Sequence, residues 1–169
     1  SVKKEVIVID TDSKQYEEIG IWKNTNQVNY YGDTPSCEAL TNPLNKAIYH
    51  FENIRADSFQ LAAWWTVNKS NTTHATYILH HSNSIDTIHA NHTSLASNGR
   101  WNVLGNYWLT HGDYLEVISH TGQGKIIADA IRLVHLGLLQ HQPQRGDLRI
   151  AVISDLNSGL GSATYEWQV

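Results

Sequence analysis

Short apolar stretches, rich in Val, Ile, Tyr and Trp, recur along this chain with polar turns between them, and helical periodicity is nearly absent. The spacing predicts strands near Glu5–Ile9, Asn45–Glu52, Ser58–Asn68, His74–His81, Ile85–Asn91, Trp101–Leu109, Tyr114–His120 and Lys125–His135. The breaks between them are turn sequences: Asn68-Lys69-Ser70-Asn71, Ser97-Asn98-Gly99, His111-Gly112-Asp113 and Thr121-Gly122-Gln123-Gly124. Many short strands at such intervals predict an all-β fold, an antiparallel sandwich or barrel. The 169 residues suffice for one domain with a real core and fall short of two full ones.

Strand alternation sorts the faces. In Ser58–Asn68, residues Phe59, Leu61, Ala63, Trp65 and Val67 are expected inside, with Gln60, Ala62, Trp64 and Thr66 facing solvent. In His74–His81, Ala75, Tyr77 and Leu79 go inward, and Thr76, Ile78 and His80 outward. In Asn45–Glu52, Ala47, Tyr49 and Phe51 go inward, and Ile48 and His50 outward. A hairpin of Ser58–Asn68 with His74–His81 would join their outward faces into one patch around Trp64, Thr66, Ile78 and His80. A Trp on a polar strand face can stack on the apolar face of a sugar ring. Gln60, Thr66 and His80 would then bond its hydroxyls. Trp22, Tyr30 and Tyr31 fall in loop-like sequence that can line a site at one end of the sandwich. The candidate ligand-binding set is therefore Trp64, Thr66, His80, Ile78, His50, Gln60, Trp22 and Tyr31. The competing reading is that a loop or partner domain covers Trp64. Trp65 and Trp101 are assigned to the core.

The net charge is −4 with no basic stripe, which argues against nucleic-acid binding. No apolar run reaches the length of a membrane span. The chain has no signal peptide and no Met, and reads as a piece of a longer polypeptide. The single cysteine, Cys37, follows a turn-like segment (Asp33-Thr34-Pro35-Ser36) and reads as an inert thiol, because no base is placed beside it. None of the ten histidines lies in a zinc-type motif. His89 and His92 should lie on opposite faces of a strand, as should His80 and His81; His141 falls in a linker. Sequons at Asn68, Asn71 and Asn91 would matter only in a secreted eukaryotic protein. No Asp/Glu pair is placed by its spacing at glycosidase geometry, so the sandwich reads as non-catalytic. Asp129 shares a register with Ile127, Ile131 and Leu133 and is expected buried, which requires a partner. Arg100, Arg55 and Arg132 are the candidates, with a structural calcium as the alternative.

Composition changes after Val134. Residues 136–147 read as a linker, carrying His141, Pro143 and Gly146. Leu148-Arg149-Ile150-Ala151-Val152-Ile153 is an almost continuous apolar run, of the kind buried on both faces of a parallel sheet. It reads as the opening strand of a second, α/β domain at 148–169.

Ordered segments of the first 135 residues resemble a known family. They are Val6-Ile7-Val8-Ile9-Asp10, Gly20-Ile21-Trp22, Tyr31-Gly32, Ala75-Thr76-Tyr77-Ile78-Leu79-His80-His81, Arg100-Trp101-Asn102-Val103-Leu104-Gly105-Asn106-Tyr107 and Ala128-Asp129-Ala130-Ile131-Arg132-Leu133. In this order and spacing they resemble the golvesin/xanthan-lyase C-terminal module. The resemblance implies a jelly-roll-like β-sandwich, carbohydrate-binding-like and appended to a secreted or cell-surface enzyme. The implied partners are a polysaccharide or cell-surface glycan and a C-terminal catalytic domain in cis. Arg149-Ile150-Ala151-Val152-Ile153-Ser154-Asp155-Leu156-Asn157 resembles the first strand and metal loop of a calcineurin-like metallophosphoesterase. That resemblance implies Asp155 as a ligand to divalent metals in the full-length protein. Asn157 stands where the family has His, and an Asn carbonyl is a poorer ligand for transition metals.

Overall fold

The computed structural model describes residues 5–119 and 123–137. The linker and the metallophosphoesterase-like segment at 138–169, with His141, Asp155 and Asn157, lie outside the described residues. The strands are β1 (Val6–Ile9), β2 (Tyr16–Ile19), β3 (Lys23–Asn24), β4 (Cys37–Leu40), β5 (Lys46–His50) and β6 (Asp57–Trp64). They continue with β7 (Ala75–His81), β8 (Ser84–Ala90), β9 (Trp101–Leu109), β10 (Tyr114–Ile118), β11 (Lys125–Ala128) and β12 (Ala130–His135). They form an all-β, antiparallel sandwich, as expected. One sheet has the order β1-β12-β6-β9, the second β2-β5-β10-β7-β8, and a small third sheet β11-β4-β3. One core fills the space between the two large sheets, with Leu61, Ala63 and Leu133 from one side and Ala47, Tyr49, Leu79 and Leu115 from the other. The inward residues expected for the three strands above are all buried.

The expected hairpin of Ser58–Asn68 with His74–His81 does not form. β6 pairs with β12 and β9, whereas β7 pairs with β10 and β8 in the other sheet. After Trp64 the chain leaves its sheet and crosses the core edge. Trp65 and Val67 stay buried, and the Asn71 amide pins the crossing by donating to the Thr66 and His92 carbonyls, both at 3.0 Å. Crossing in place of turning puts the outer faces of β6 and β7 on opposite sides of the molecule.

The predicted strand Lys125–His135 is broken. β11 pairs with β4 in the small sheet and β12 with β1 and β6, so the chain changes sheets at Asp129. On β9 a bulge places Gly105 opposite Leu61 and Val103 opposite Ala62, leaving Leu104 as the extra residue. The bulge inverts the odd–even parity, so Trp101, Val103, Asn106 and Trp108 all face outward.

Candidate functional site

The sequence-derived ligand set is distributed over four places. Trp64, Gln60 and Tyr31 lie on the outer side of the β1-β12-β6-β9 sheet. His80, Ile78 and His50 lie on the outer side of the β2-β5-β10-β7-β8 sheet. Trp22 lies beside the small sheet. Thr66 is interior: it is fully buried, and its hydroxyl joins a chain through Ser36 (3.0 Å) to Thr25 (2.9 Å). Thr66 was expected outside because it continues the alternation of β6, but the strand ends at Trp64. Ala62 and Ile48 are likewise covered, at 0% and 8% exposure.

The first surface is an aromatic cluster. Trp64 and Trp101 are direct partners across β6 and β9. Their ring centroids are 5.4 Å apart in a T-shaped arrangement. Tyr31 completes the group, 5.4 Å from Trp64 and 5.0 Å from Trp101. Trp101, assigned to the core from sequence, is half-buried at this surface because its β9 register matches the outward Trp64. Edge-to-face contacts fix rings relative to each other and leave faces open at the margin. The Trp64 indole N–H donates to the Asn29 carbonyl at 2.8 Å, tying the ring to the loop that carries Tyr31. Arg132 lies over Trp101, 4.9 Å from the ring centroid, and donates to Gln60 Oε1 at 3.4 Å. Aromatic rings, a guanidinium and an amide thus share one face.

Tyr31 is positioned from below by Asp129. Its backbone N–H donates to both carboxyl oxygens, at 3.3 and 3.2 Å. Asp129 is 1% exposed, and its backbone carbonyl accepts from the Tyr49 hydroxyl at 3.1 Å. Burial pushes the Asp129 carboxyl up to about 8; the Tyr31 N–H opposes this, and the charge of Asp10 adds to it. The Arg partners expected for Asp129 are not used in this way. Arg132 belongs to the outer face with Trp101 and Gln60, and a backbone amide takes its place.

The second surface is polar and cross-linked. Tyr114 of β10 stands between His50 and His80 in register. The His80 ring stacks on Tyr114 at 4.2 Å with 14° between planes. Glu116 meets Lys46 Nζ at 3.1 Å and His80 Nε2 at 3.1 Å, and His50 meets Glu17 at 2.8 Å. These groups pair with one another, which leaves fewer of them for a ligand than the sequence suggested.

The remaining singled-out residues have structural roles. Burial pushes the Cys37 thiol up to about 12, so it is not a nucleophile at neutral pH. His89 is exposed on β8, whereas His92 lies beyond the end of that strand and is fully buried, so the two do not face across one strand as expected. Among the described residues no group of three or more His, Cys, Asp or Glu side chains converges as a metal site. Asn71 is buried with its amide engaged, so of the three sequons only Asn68 and Asn91 reach solvent.

Several solved structures share this fold. A Paenibacillus xanthan lyase matches at a TM-score of 0.72 and 20% identity, over 78% of this chain and 13% of the lyase. A family 35 carbohydrate-binding module from an environmental isolate matches at 0.58 and 14% identity, over 78% of this chain and 94% of the module. A Podospora anserina β-(1,4)-mannanase carrying such a module matches at 0.58 and 13% identity, over 83% of this chain and 29% of that protein. The chain therefore spans a small part of the lyase and of the mannanase. No curated protein matches it significantly by sequence. Residues 6–135 match the Golvesin C-terminal domain, and the chain belongs to that family.

Proposed function

We propose that residues 6–135 form a non-catalytic accessory module that binds a polysaccharide or cell-surface glycan and holds an attached hydrolase at that surface. The observation that carries this is the half-buried cluster of Tyr31, Trp64 and Trp101, flanked by Arg132 and Gln60. Aromatic faces stack on pyranose C–H groups, and flanking polar side chains bond hydroxyls. The structural likeness to a carbohydrate-binding module supports the same reading. Such a module works outside the cell, as a secreted or surface-held part. The described helical content includes no segment long and apolar enough to cross a membrane.

Calorimetric titration against a panel of neutral polysaccharides tests the proposal. Binding that Trp64→Ala weakens by about tenfold or more, with the melting temperature kept within a few degrees, is expected for loss of a stacked ring. No heat with any glycan would favour the second reading, a structural domain that packs on the attached enzyme. That reading has one observation of its own: the Trp64 indole N–H is already satisfied by Asn29. The attached enzyme is a metal-dependent phosphoesterase opening at residues 148–169, with Asp155 among its ligands to divalent metals. Downstream coding sequence carrying the remaining ligand motifs would support this assignment, and its absence would remove it.

A structural calcium, the alternative partner for Asp129, is not part of this proposal. Calcium takes roughly six to eight oxygens, whereas the pair Asp10 and Asp129 supplies two carboxylates. Melting in calcium and in a chelator should give the same temperature.

A further inference from the structure

A concave pocket beside the small sheet carries groups that the aromatic cluster does not use. Ile21, Trp22 and Leu40 form its apolar side, and Lys23, Glu38 and Lys125 its polar side. Its volume is about 260 Å³, below the range of drug-sized sites and suited to a single sugar ring. Ile21 and Leu40 are 84% and 67% exposed, so the apolar wall is open. Trp22 is fixed: its indole N–H donates to the Ile19 carbonyl at 3.1 Å and its body packs against the core. Any contact it makes with a ligand is therefore through the ring.

The polar side has an excess of positive charge. The Glu38 carboxylate, with its side chain only 10% exposed, is held by Lys125 Nζ at 2.6 Å. Those two charges compensate each other. Lys23 faces Glu38 in the β3–β4 register, but its Nζ stays 3.9 Å away and its side chain is 75% exposed. An exposed pair at that distance contributes little, so the Lys23 ammonium is free to turn to a ligand. A fixed ring, an open apolar wall, a fixed carboxylate acceptor and one exposed, weakly paired ammonium match a sugar that bears its own carboxylate. Its C–H face would rest on Trp22 and Leu40. Its carboxylate would meet Lys23, and a hydroxyl would donate to Glu38.

We propose that this pocket binds a uronic-acid residue of an acidic polysaccharide. The proposal rests on the carbohydrate-binding reading and adds a second, charge-selective subsite to it. Neutral sugars leave Lys23 without a partner and bind the pocket more weakly.

The test is calorimetric titration of the 169-residue chain with an oligouronate and with a neutral oligosaccharide of the same length and linkage. The oligouronate should bind, and more weakly as salt is raised. Lys23→Ala should weaken it by about tenfold, the loss expected for one charge-assisted hydrogen bond, at an unchanged melting temperature. Lys69→Ala, which removes an exposed charge outside the pocket, should leave it unchanged. Trp22→Phe, which keeps an aromatic body in the core, should weaken it less than Lys23→Ala. Equal affinity for the neutral and acidic oligomers, or an unaffected Lys23→Ala, would overturn the proposal. So would competition by inorganic sulfate as effective as that by free glucuronate, which marks an anion site without sugar recognition. Neutral-glycan binding without oligouronate binding overturns the pocket and leaves the module reading standing. No binding of either oligomer removes both.

Discussion

Asp129 sits where the chain leaves the small sheet for the large one, and its carboxyl turns that break into an anchor for Tyr31. A buried carboxylate with only a backbone amide for partner is costly to ionise. The folded state therefore holds its proton to about pH 8, while the unfolded chain releases it near the ordinary carboxyl value of 3.8. Between those limits the folded state binds one proton more. Stability is complete at the acid end and falls as pH rises, by about 1.4 kcal/mol per pH unit for one proton. Asp129→Asn keeps an acceptor for the Tyr31 N–H and removes the titration. Urea melts between pH 6.5 and 8 should show a decline for the wild type that is reduced in Asp129→Asn. Equal slopes would mean the carboxyl is not the titrating group. Burial of Asp129 was readable from its register with Ile127 and Ile131. The identity of its partner was not, because Tyr31 lies 98 residues away and contributes a backbone group that no sequence pattern marks.

At the scale of elements, the strands that alternate cleanly were legible and the others were not. β7 alternates buried and half-buried positions over its seven residues, and β6 does so over eight except at the covered Ala62, so their period shows. β2, Tyr-Glu-Glu-Ile, is an edge strand with no buried residue. β3 has two residues, and β4 buries three in succession because both its faces are covered. None of these three has a period-two signal. The candidate site was half-legible for a related reason. Alternation correctly put Trp64 on an outer face, but the neighbours of that face depend on which strands pair, and pairing is decided by the crossing at 65–74. The partner Trp101 was hidden by the β9 bulge, whose enabling residue is Gly105. A Cβ at Gly105 would lie 2.8 Å from the Tyr107 ring, at a φ of 153°. Gly105→Ala should therefore destabilise the fold by about 1–3 kcal/mol through backbone strain. It should also perturb the near-ultraviolet circular dichroism of the Trp64–Trp101 pair. A variant with wild-type stability and spectrum would mean that the bulge does not depend on glycine.

At the scale of the molecule, two large sheets share one core, and His92 joins the elements at its edge. It is fully buried, and its ring packs against Trp65 in a tilted arrangement with centroids 4.9 Å apart. Nδ1 accepts from the Ile127 N–H at 3.3 Å, which leaves Nε2–H to donate to the Tyr77 hydroxyl at 3.1 Å. The bond at Nδ1 requires the neutral ring, and burial lowers its pKa from 6.5 to about 3. The unfolded chain therefore takes up a proton near pH 6.5 that the folded chain refuses until about pH 3. This group's contribution is complete above pH 6.5 and is lost progressively down to about pH 3. Asp129 acts in the opposite sense between pH 3.8 and 8. From about pH 4 to 6.5 the two one-proton slopes cancel, and these two groups leave stability flat. Removing either group exposes the other. Asp129→Asn should lose stability on acidification from pH 6.5, as His92 acts unopposed. His92→Asn should be less stable at pH 7, because it gives up two buried hydrogen bonds, yet should gain stability as pH falls from 8 towards 4. Urea unfolding midpoints of the wild type and both variants at one-unit pH intervals decide the matter. Parallel curves for all three would mean that neither buried group controls the acid response of the sandwich.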